Sequence, residues 1–244
     1  MTVPSAGPVL REDARAGRVR LVVTGDVDLG SSDTGAGRAA VTDALGVAPE
    51  RLLLPRQVHG DRVVRVRDPW PGPPPEADGV LVVGDDLAAP LAVGVRAADC
   101  MPLLLADPGA GIAAAVHVGR EGLRLGVARR AVRALRAAGA RDLLARAGPT
   151  VCGACYEVPD ALRAQVAAAE PAAAGVTRAG TPAVDVVAGV RAQLAAPLDE
   201  TLDGPPVELD TRWAVCTLED TSLASHRRDG TSRRHAALVV VDPA

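Results

Sequence analysis

Three short segments carry the imidazole and thiol side chains that could do chemistry in this chain. Arg56-Gln57-Val58-His59-Gly60 ends a strand-like run on a histidine. Ala98-Asp99-Cys100 sets a thiol just before an apolar run. The segment AVHVGREG, Ala115–Gly122, carries His117 into a glycine-flanked turn ahead of a helical pattern. Strand ends that feed helices are common homes for active sites. Taken singly, each residue has a bland reading, because a lone His after a strand is more often structural and a lone Cys usually belongs to the core.

Geometry links two of them. Asp107-Pro108-Gly109-Ala110 is a turn between apolar runs, and a hairpin centred between Pro108 and Gly109 would set Cys100 directly opposite His117. Opposed residues of an antiparallel pair have Cβ atoms about 4.5–5.5 Å apart. That suits two ligands of one ion, with metal–sulfur bonds near 2.3 Å and metal–nitrogen bonds near 2.0–2.1 Å. A shift of one residue in register would put the two on opposite faces.

Two further clusters stand out. Cys152-Gly153-Ala154-Cys155 has the spacing of a zinc or redox pair, but no second C-x-x-C exists. The pair is therefore expected to be reduced and to take no part in binding a catalytic metal. Ser225-His226-Arg227-Arg228-Asp229-Gly230 offers two guanidinium groups suited to a phosphate or carboxylate, or a solvated basic turn. His226 and His235 read as surface residues.

The elements that must position these groups follow from periodicity. Gly79–Val83, Pro90–Val95, Met101–Ala106 and Gly111–Val116 are short apolar runs bounded by turn residues. Their lack of alternation predicts strands buried on both faces. Gly122–Gly139 places Leu123, Val127, Ala131 and Leu135 on one helical face, with arginines opposite, and Gly139 is its stop. Further helices are expected near Pro159–Glu170 and Ala183–Leu194, and strands over Trp213–Thr217 and Ala236–Val241. The proline-rich stretch Asp68–Gly79 reads as a surface loop. The fold class is α/β (α+β), a single domain over residues 1–244.

Composition excludes several functions. All 27 basic residues are arginine, so Schiff-base lysine chemistry and a P-loop are ruled out. A formal net charge of −3, with one Tyr, two Trp and no Phe, argues against nucleic-acid binding, which needs a basic face or stacking platforms. The N-terminal segment has no apolar signal core, and no stretch is apolar enough to span a membrane. The expected location is the cytoplasm, where the four cysteines stay reduced.

In order along the chain, QVHG (Gln57–Gly60), ADG (Ala77–Gly79), ADCMPLLLADP (Ala98–Pro108), AVHVGREGL (Ala115–Leu123), CYEV (Cys155–Val158) and TLEDTSLASHRRDGTSRR (Thr217–Arg234) resemble the laccase-domain family, also called multicopper polyphenol oxidase or YfiH-type. The resemblance implies a layered sandwich of β-sheets covered by helices. It also implies a metal site of His59, Cys100 and His117, holding zinc or, by other accounts, copper. Three protein ligands leave a fourth position open, the mark of a catalytic site, where water has its pKa lowered toward 7.

The activity implied is that of a purine nucleoside phosphorylase, taking a nucleoside and phosphate, with methylthioadenosine cleavage and adenosine deamination beside it. Asp99 is the candidate to orient a ligand histidine, and Arg227, Arg228 and Arg56 are the candidates to hold phosphate. Rival readings are a copper-dependent polyphenol oxidase, and a metal-binding protein with a peptidoglycan-editing or non-catalytic role. Four histidines are too few for an oxygen-reducing multicopper site.

The chain departs from the family pattern in three places. Val23–Arg38 lacks the usual Gly-Gly and Leu-Asn segments. His117-Val118-Gly119-Arg120-Glu121-Gly122 has Arg120 where Trp is usual and Glu121 where Arg is usual. Thr231-Ser232-Arg233 replaces Thr-Gly-Arg. Glu121 either weakens anion binding or simply faces solvent at a helix start, where a carboxylate favours the dipole.

Overall fold

The apolar runs that fail to alternate become strands whose two faces feed two different cores. The computed structural model describes residues 9–25, 27, 29, 36–197 and 204–244. Part of the atypical Val23–Arg38 segment (residues 26, 28 and 30–35) lies outside them, as do residues 1–8.

Along the chain, β1 (Leu10–Ala16) and β2 (Val19–Thr24) form a hairpin, followed by α1 (Ala36–Leu45), β3 (Leu52–Leu53) and β4 (Val63–Val66). The four apolar strands are β5 (Gly79–Val83), β6 (Leu91–Ala97), β7 (Met101–Asp107) and β8 (Ile112–Val118). Then come α2 (Arg120–Leu125), α3 (Val127–Ala137), β9 (Leu144–Ala147) and α4 (Asp160–Ala169). The small hairpin β10 (Ala174–Val176) and β11 (Pro182–Val184) precedes α5 (Val186–Ala195), β12 (Leu209–Asp210), α6 (His226–Asp229) and β13 (His235–Val241).

Two mixed sheets are stacked. One has the order β1-β2-β13-β6-β3 and the other β12-β9-β7-β8-β5-β4. Between them lies an apolar layer of Val93, Val95, Val239 and Val241 from the first sheet against Val80, Val82, Leu104, Ala113 and Ala115 from the second. The outer face of the second sheet, with Leu103, Leu105, Ala114 and Val116, packs on Leu123, Ala131, Leu135, Val166 and Val190 of the helices. The outer face of the first sheet, with Val22, Ala92 and Leu238, packs on Val41 and Leu45 of α1. Every residue of β5, β7, β8 and β13 is buried, which is why period-two alternation is missing from those runs.

The structure corrects four expectations. The helix predicted over Gly122–Gly139 is two helices, broken at Gly126, whose φ of +80° ends α2 on hydrogen bonds to the Gly122 and Leu123 carbonyls. Periodicity carries straight across such a break, because α3 resumes at the next residue. Trp213–Thr217 is a buried turn rather than a strand, contributing one bridge from Cys216 to Thr150; its apolar content serves burial, with Trp213 under the Arg146 guanidinium at 4.3 Å.

The hairpin register is the third correction. Pro102, not Cys100, stands opposite His117, because pairing starts at Asp107 and Ile112 around a four-residue turn that ends on Gly111 at φ +63°. Asp107 accepts the Ala110 N–H to hold that turn. The shift is by two residues, and Cys100 lies outside the ladder, in the bend just before Met101. Lastly, His235 is fully buried in β13 rather than on the surface. Among the described residues no helix is long and apolar enough to cross a membrane.

Candidate metal centre

His59, Cys100 and His117 meet at the rim where the two sheets end. Their donor atoms lie within 4.8 Å of one another, and Cys100 Sγ is 3.9 Å from His59 Nε2. Each comes from a different kind of element. His117 is the penultimate residue of β8, Cys100 sits in the tight corner between β6 and β7, and His59 lies on the loop after β3. His59 and Asp99 hold positive φ, +61° and +84°. Non-glycine residues bear that strain where the surrounding structure overdetermines it.

The residue that assembles the centre is Asp78. Its wholly buried carboxylate accepts the backbone N–H groups of Val58 (3.2 Å), His59 (3.0 Å) and Gly60 (2.7 Å), pinning the His59 loop. It also faces His117 Nδ1 at 2.8 Å, which orients that ring and leaves Nε2 for an ion. Burial pushes the Asp78 pKa up, but His117 and the Gly60 and Val58 N–H groups outweigh it and hold it below the ordinary value.

The donor set fits a tetrahedral zinc-class or copper ion: one thiolate, two imidazoles and an open side. Gly119 leaves the room. A Cβ there would stand 2.9 Å from His59 Cδ2, 3.3 Å from Cys100 Sγ and 3.7 Å from His117 Cε1.

The electrostatics agree. Burial works against a charged Cys100, yet its hydrogen bonds to His117 and His59 pull its pKa down to about 6. Burial disfavours a charged His117, but Asp78 and Cys100 push its pKa up to about 9. Without an ion, the centre therefore holds a thiolate–imidazolium pair between those values. Following the far-ultraviolet thiolate absorbance of chelator-stripped protein against pH should show one thiol ionising near pH 6. A first transition only at ordinary thiol pKa values would refute this electrostatic picture.

The triad opens on a cleft of about 580 Å³, lined also by Arg56, Gln57, Arg96, His226, Ser232 and Arg234. Of the predicted phosphate-holding residues, Arg56 lies in the cleft, paired with Glu76. Arg227 and Arg228 do not line it. Arg227 stacks over Tyr156 at 4.6 Å, and Arg228 spends its guanidinium on the Thr217, Asp220 and Leu223 carbonyls and on Asp229. Asp99 does not face a ligand histidine; its carboxylate accepts Thr217 Oγ1 (2.6 Å) and the Arg227 N–H (2.8 Å).

Sequence reasoning quoted Ala77–Gly79 without seeing that Asp78 is the orienting carboxylate, and it did not single out Gly119, Arg96 or Arg234. His226 is exposed at the cleft wall. Burial drives the His235 pKa down to about 4, so that ring is neutral at pH 7. Glu121 stays at the exposed start of α2, bound to Arg124 through both carboxylate oxygens. The four cysteines are free thiols.

Comparison with known proteins places the family and the fold. Residues 30–242 match the family described as multi-copper polyphenol oxidoreductase laccase. A purine nucleoside phosphorylase of Streptomyces coelicolor is 45% identical over 237 residues, covering 93% of this chain and 93% of its own. One of Mycobacterium tuberculosis is 43% identical over 207 residues, covering 84% of this chain and 78% of its own. Among solved structures, YlmD from Geobacillus stearothermophilus has a TM-score of 0.77 at 22% identity, over 97% of this chain and 100% of that one. Bacillus licheniformis hypothetical protein YfiH has a TM-score of 0.74 at 20% identity, over 92% and 93%. These structures speak for the fold alone, whereas the family match over residues 30–242 spans the positions of His59, Asp78, Cys100 and His117. With fold and sequence in agreement, the chain belongs to the YfiH-type, laccase-like family.

Proposed function

We propose that this chain, acting as one domain over residues 1–244 in the cytoplasm, is a metal-dependent purine nucleoside phosphorylase, with zinc as the metal and copper as the alternative. It would cleave adenosine and methylthioadenosine and deaminate adenosine as a side activity. The observation that carries the reading is the triad opening on a cleft walled by arginines, Arg56, Arg96 and Arg234. Relatives above 40% identity that bear the name purine nucleoside phosphorylase support an enzyme of this kind.

His59, Cys100 and His117 would hold the ion, which when bound supplies Lewis-acid polarisation at the cleft floor. The arginines bind the phosphate dianion by charge-assisted, fork-shaped hydrogen bonds and orient it toward the anomeric carbon of the ribose. There the new C–O bond forms as the C–N bond to the purine breaks. The departing base needs a proton on its ring nitrogen. Outside the triad, His226 is the imidazole that lines the cleft, and it would supply that proton.

The test is product analysis by mass spectrometry after incubating metal-loaded protein with adenosine and phosphate. Adenine with ribose 1-phosphate is the expected result, and inosine marks the deaminase activity. Formation of none of these overturns the reading.

Two variants separate the anion-binding residues from the bystander. Arg234→Ala should raise the KM for phosphate by about 10–100-fold, the loss of a charge-assisted contact of about 1.5–3 kcal/mol. Glu121→Arg should leave the phosphate dependence unchanged, because Glu121 pairs with Arg124 at the exposed start of α2 and does not line the cleft. A lowered phosphate requirement in Glu121→Arg would show that the side chain does reach the anion.

A further inference from the structure

A second group of donors lies behind the Asp99 corner and shares no residue with the triad. Cys152, Cys155, Cys216 and Glu219 bring four ligand atoms within 4.8 Å of one another. Cys152 and Cys155 have no second C-x-x-C to complete a zinc site. The fold supplies its counterpart, Cys216-Thr217-Leu218-Glu219, with the same spacing and a carboxylate in place of the last thiol.

The two halves share one turn geometry. Cys155 N and Tyr156 N both donate to the Cys152 carbonyl at 2.9 Å, while Glu219 N and Asp220 N donate to the Cys216 carbonyl at 3.1 and 2.9 Å. The turns are tied side by side. Thr150 N donates to Val215 O and Thr217 N to Thr150 O, and Cys152 N points at Cys216 Sγ at 3.5 Å. Paired turns of this kind, each presenting a donor at its first and fourth residue, are how structural tetrahedral zinc sites are built.

We propose that Cys152, Cys155, Cys216 and Glu219 form a second, structural metal site for zinc or a similarly thiophilic divalent ion. Four protein donors close the coordination sphere, unlike the triad with its open side. Four anionic donors exceed the charge of a divalent ion. Arg178 offsets part of the excess, with Nη1 3.0 Å from Cys155 Sγ and an ion pair to Glu219.

The site would also brace the catalytic corner. Thr150 Oγ1 and Val151 N donate to the Asp99 carbonyl at 2.9 and 3.0 Å, and Thr217 Oγ1 donates to the Asp99 carboxylate. Each of these residues lies within two positions of a proposed ligand, and Asp99 directly precedes Cys100.

Elemental analysis of protein purified under reducing conditions with zinc should find about two ions per chain, falling to about one in Cys100→Ser and about one in Cys155→Ser. Should Cys155→Ser be insoluble, cobalt titration of the well-folded Cys100→Ser protein decides the matter. It should bind about one cobalt ion, with the intense sulfur-to-cobalt charge-transfer bands of a thiolate-rich tetrahedral site. Glu219→Gln in that background should weaken binding by tenfold or more.

Three outcomes would overturn the proposal. Cys100→Ser protein could bind no zinc or cobalt. Its three remaining thiols could react at full rate with a thiol reagent in the presence of zinc. Freshly isolated protein could hold these cysteines as a disulfide. Because the decisive measurements use protein without a working triad, they stand apart from the phosphorylase assay.

Discussion

Replacing Asp78 with alanine should empty the triad of metal, abolish turnover and cost about 3–5 kcal/mol of stability, the usual effect of breaking a buried charged network by removing one partner. Alanine leaves the N–H groups of Val58, His59 and Gly60 with no acceptor and frees the His117 ring to rotate. Both ends of the metal-binding set fail together, since one carboxylate holds both histidines. Asp78→Asn is the milder control. Its amide oxygen can still accept, but its NH2 group meets a donor, so the fold should persist with metal affinity about 10–100-fold lower.

The folded-state pKa of Asp78 is depressed, so its contribution is complete above the ordinary aspartate value of 3.8 and is lost as pH falls through the lower folded value. Thermal melting and metal content of the two variants check the argument. An Asp78→Ala protein with wild-type melting and full metal would sink it.

The second large effect should come from the smallest change. Gly119→Ala adds a methyl group whose carbon would lie 2.9 Å from His59 Cδ2 and 3.3 Å from Cys100 Sγ. Real Cβ atoms do not approach carbon that closely, so the His59 ring must swing away and take its nitrogen out of the set. Gly119 has φ −81°, which alanine adopts without strain. The cost therefore falls on the metal rather than on the backbone. The expected result is metal affinity reduced by at least about 100-fold, the loss of one ligand worth roughly 3 kcal/mol or more. The melting temperature of the metal-free protein should match wild type within about 2 °C. Calorimetric zinc titration reads the first quantity and a melting scan without metal the second. Unchanged zinc affinity would mean that the glycine is not what keeps the centre open.

Much of this architecture was legible in the sequence because burial leaves a plain mark. The four apolar runs became β5 to β8 within one or two residues, and the helices near Pro159–Glu170 and Ala183–Leu194 formed as Asp160–Ala169 and Val186–Ala195. What failed did so for local reasons. Gly126 breaks a helix without disturbing its apolar period. Trp213–Thr217 is apolar because it is a buried turn, and composition does not separate that from a strand. His235 was placed outside by its polarity, although its ring sits neutral within the sheet, its Nε2 facing the Pro149 carbonyl.

Around the triad, the ligating residue types drew attention, while the carboxylate that positions them did not. An aspartate before a glycine reads as a turn, and only the fold shows three backbone N–H groups converging on it. The Cys216–Glu219 turn escaped for a related reason, since a search for cysteine pairs passes over a carboxylate in the fourth place.

The position of β13 bears on how the chain reaches this state during synthesis. It lies in the middle of its sheet, paired on one side with β2, where Ala237 meets Val23, and on the other with β6, where Val239 meets Val93. A ribosome delivers β1, β2, β3 and β6 long before it delivers β13. Until then, the two halves of that sheet have no strand to join them, and their apolar edges stay unpaired. The sandwich cannot close, so the nascent protein emerges with its hydrophobic interior open to water, the condition in which chaperones hold a chain and in which neighbouring copies aggregate. Pairings so distant along the chain also carry a large loop-closure penalty before they are rewarded, which makes folding slow. A ribosome stalled after β12 has emerged but before β13 should therefore display a protease-sensitive chain, and release of the few residues of β13 should turn it resistant in a single step.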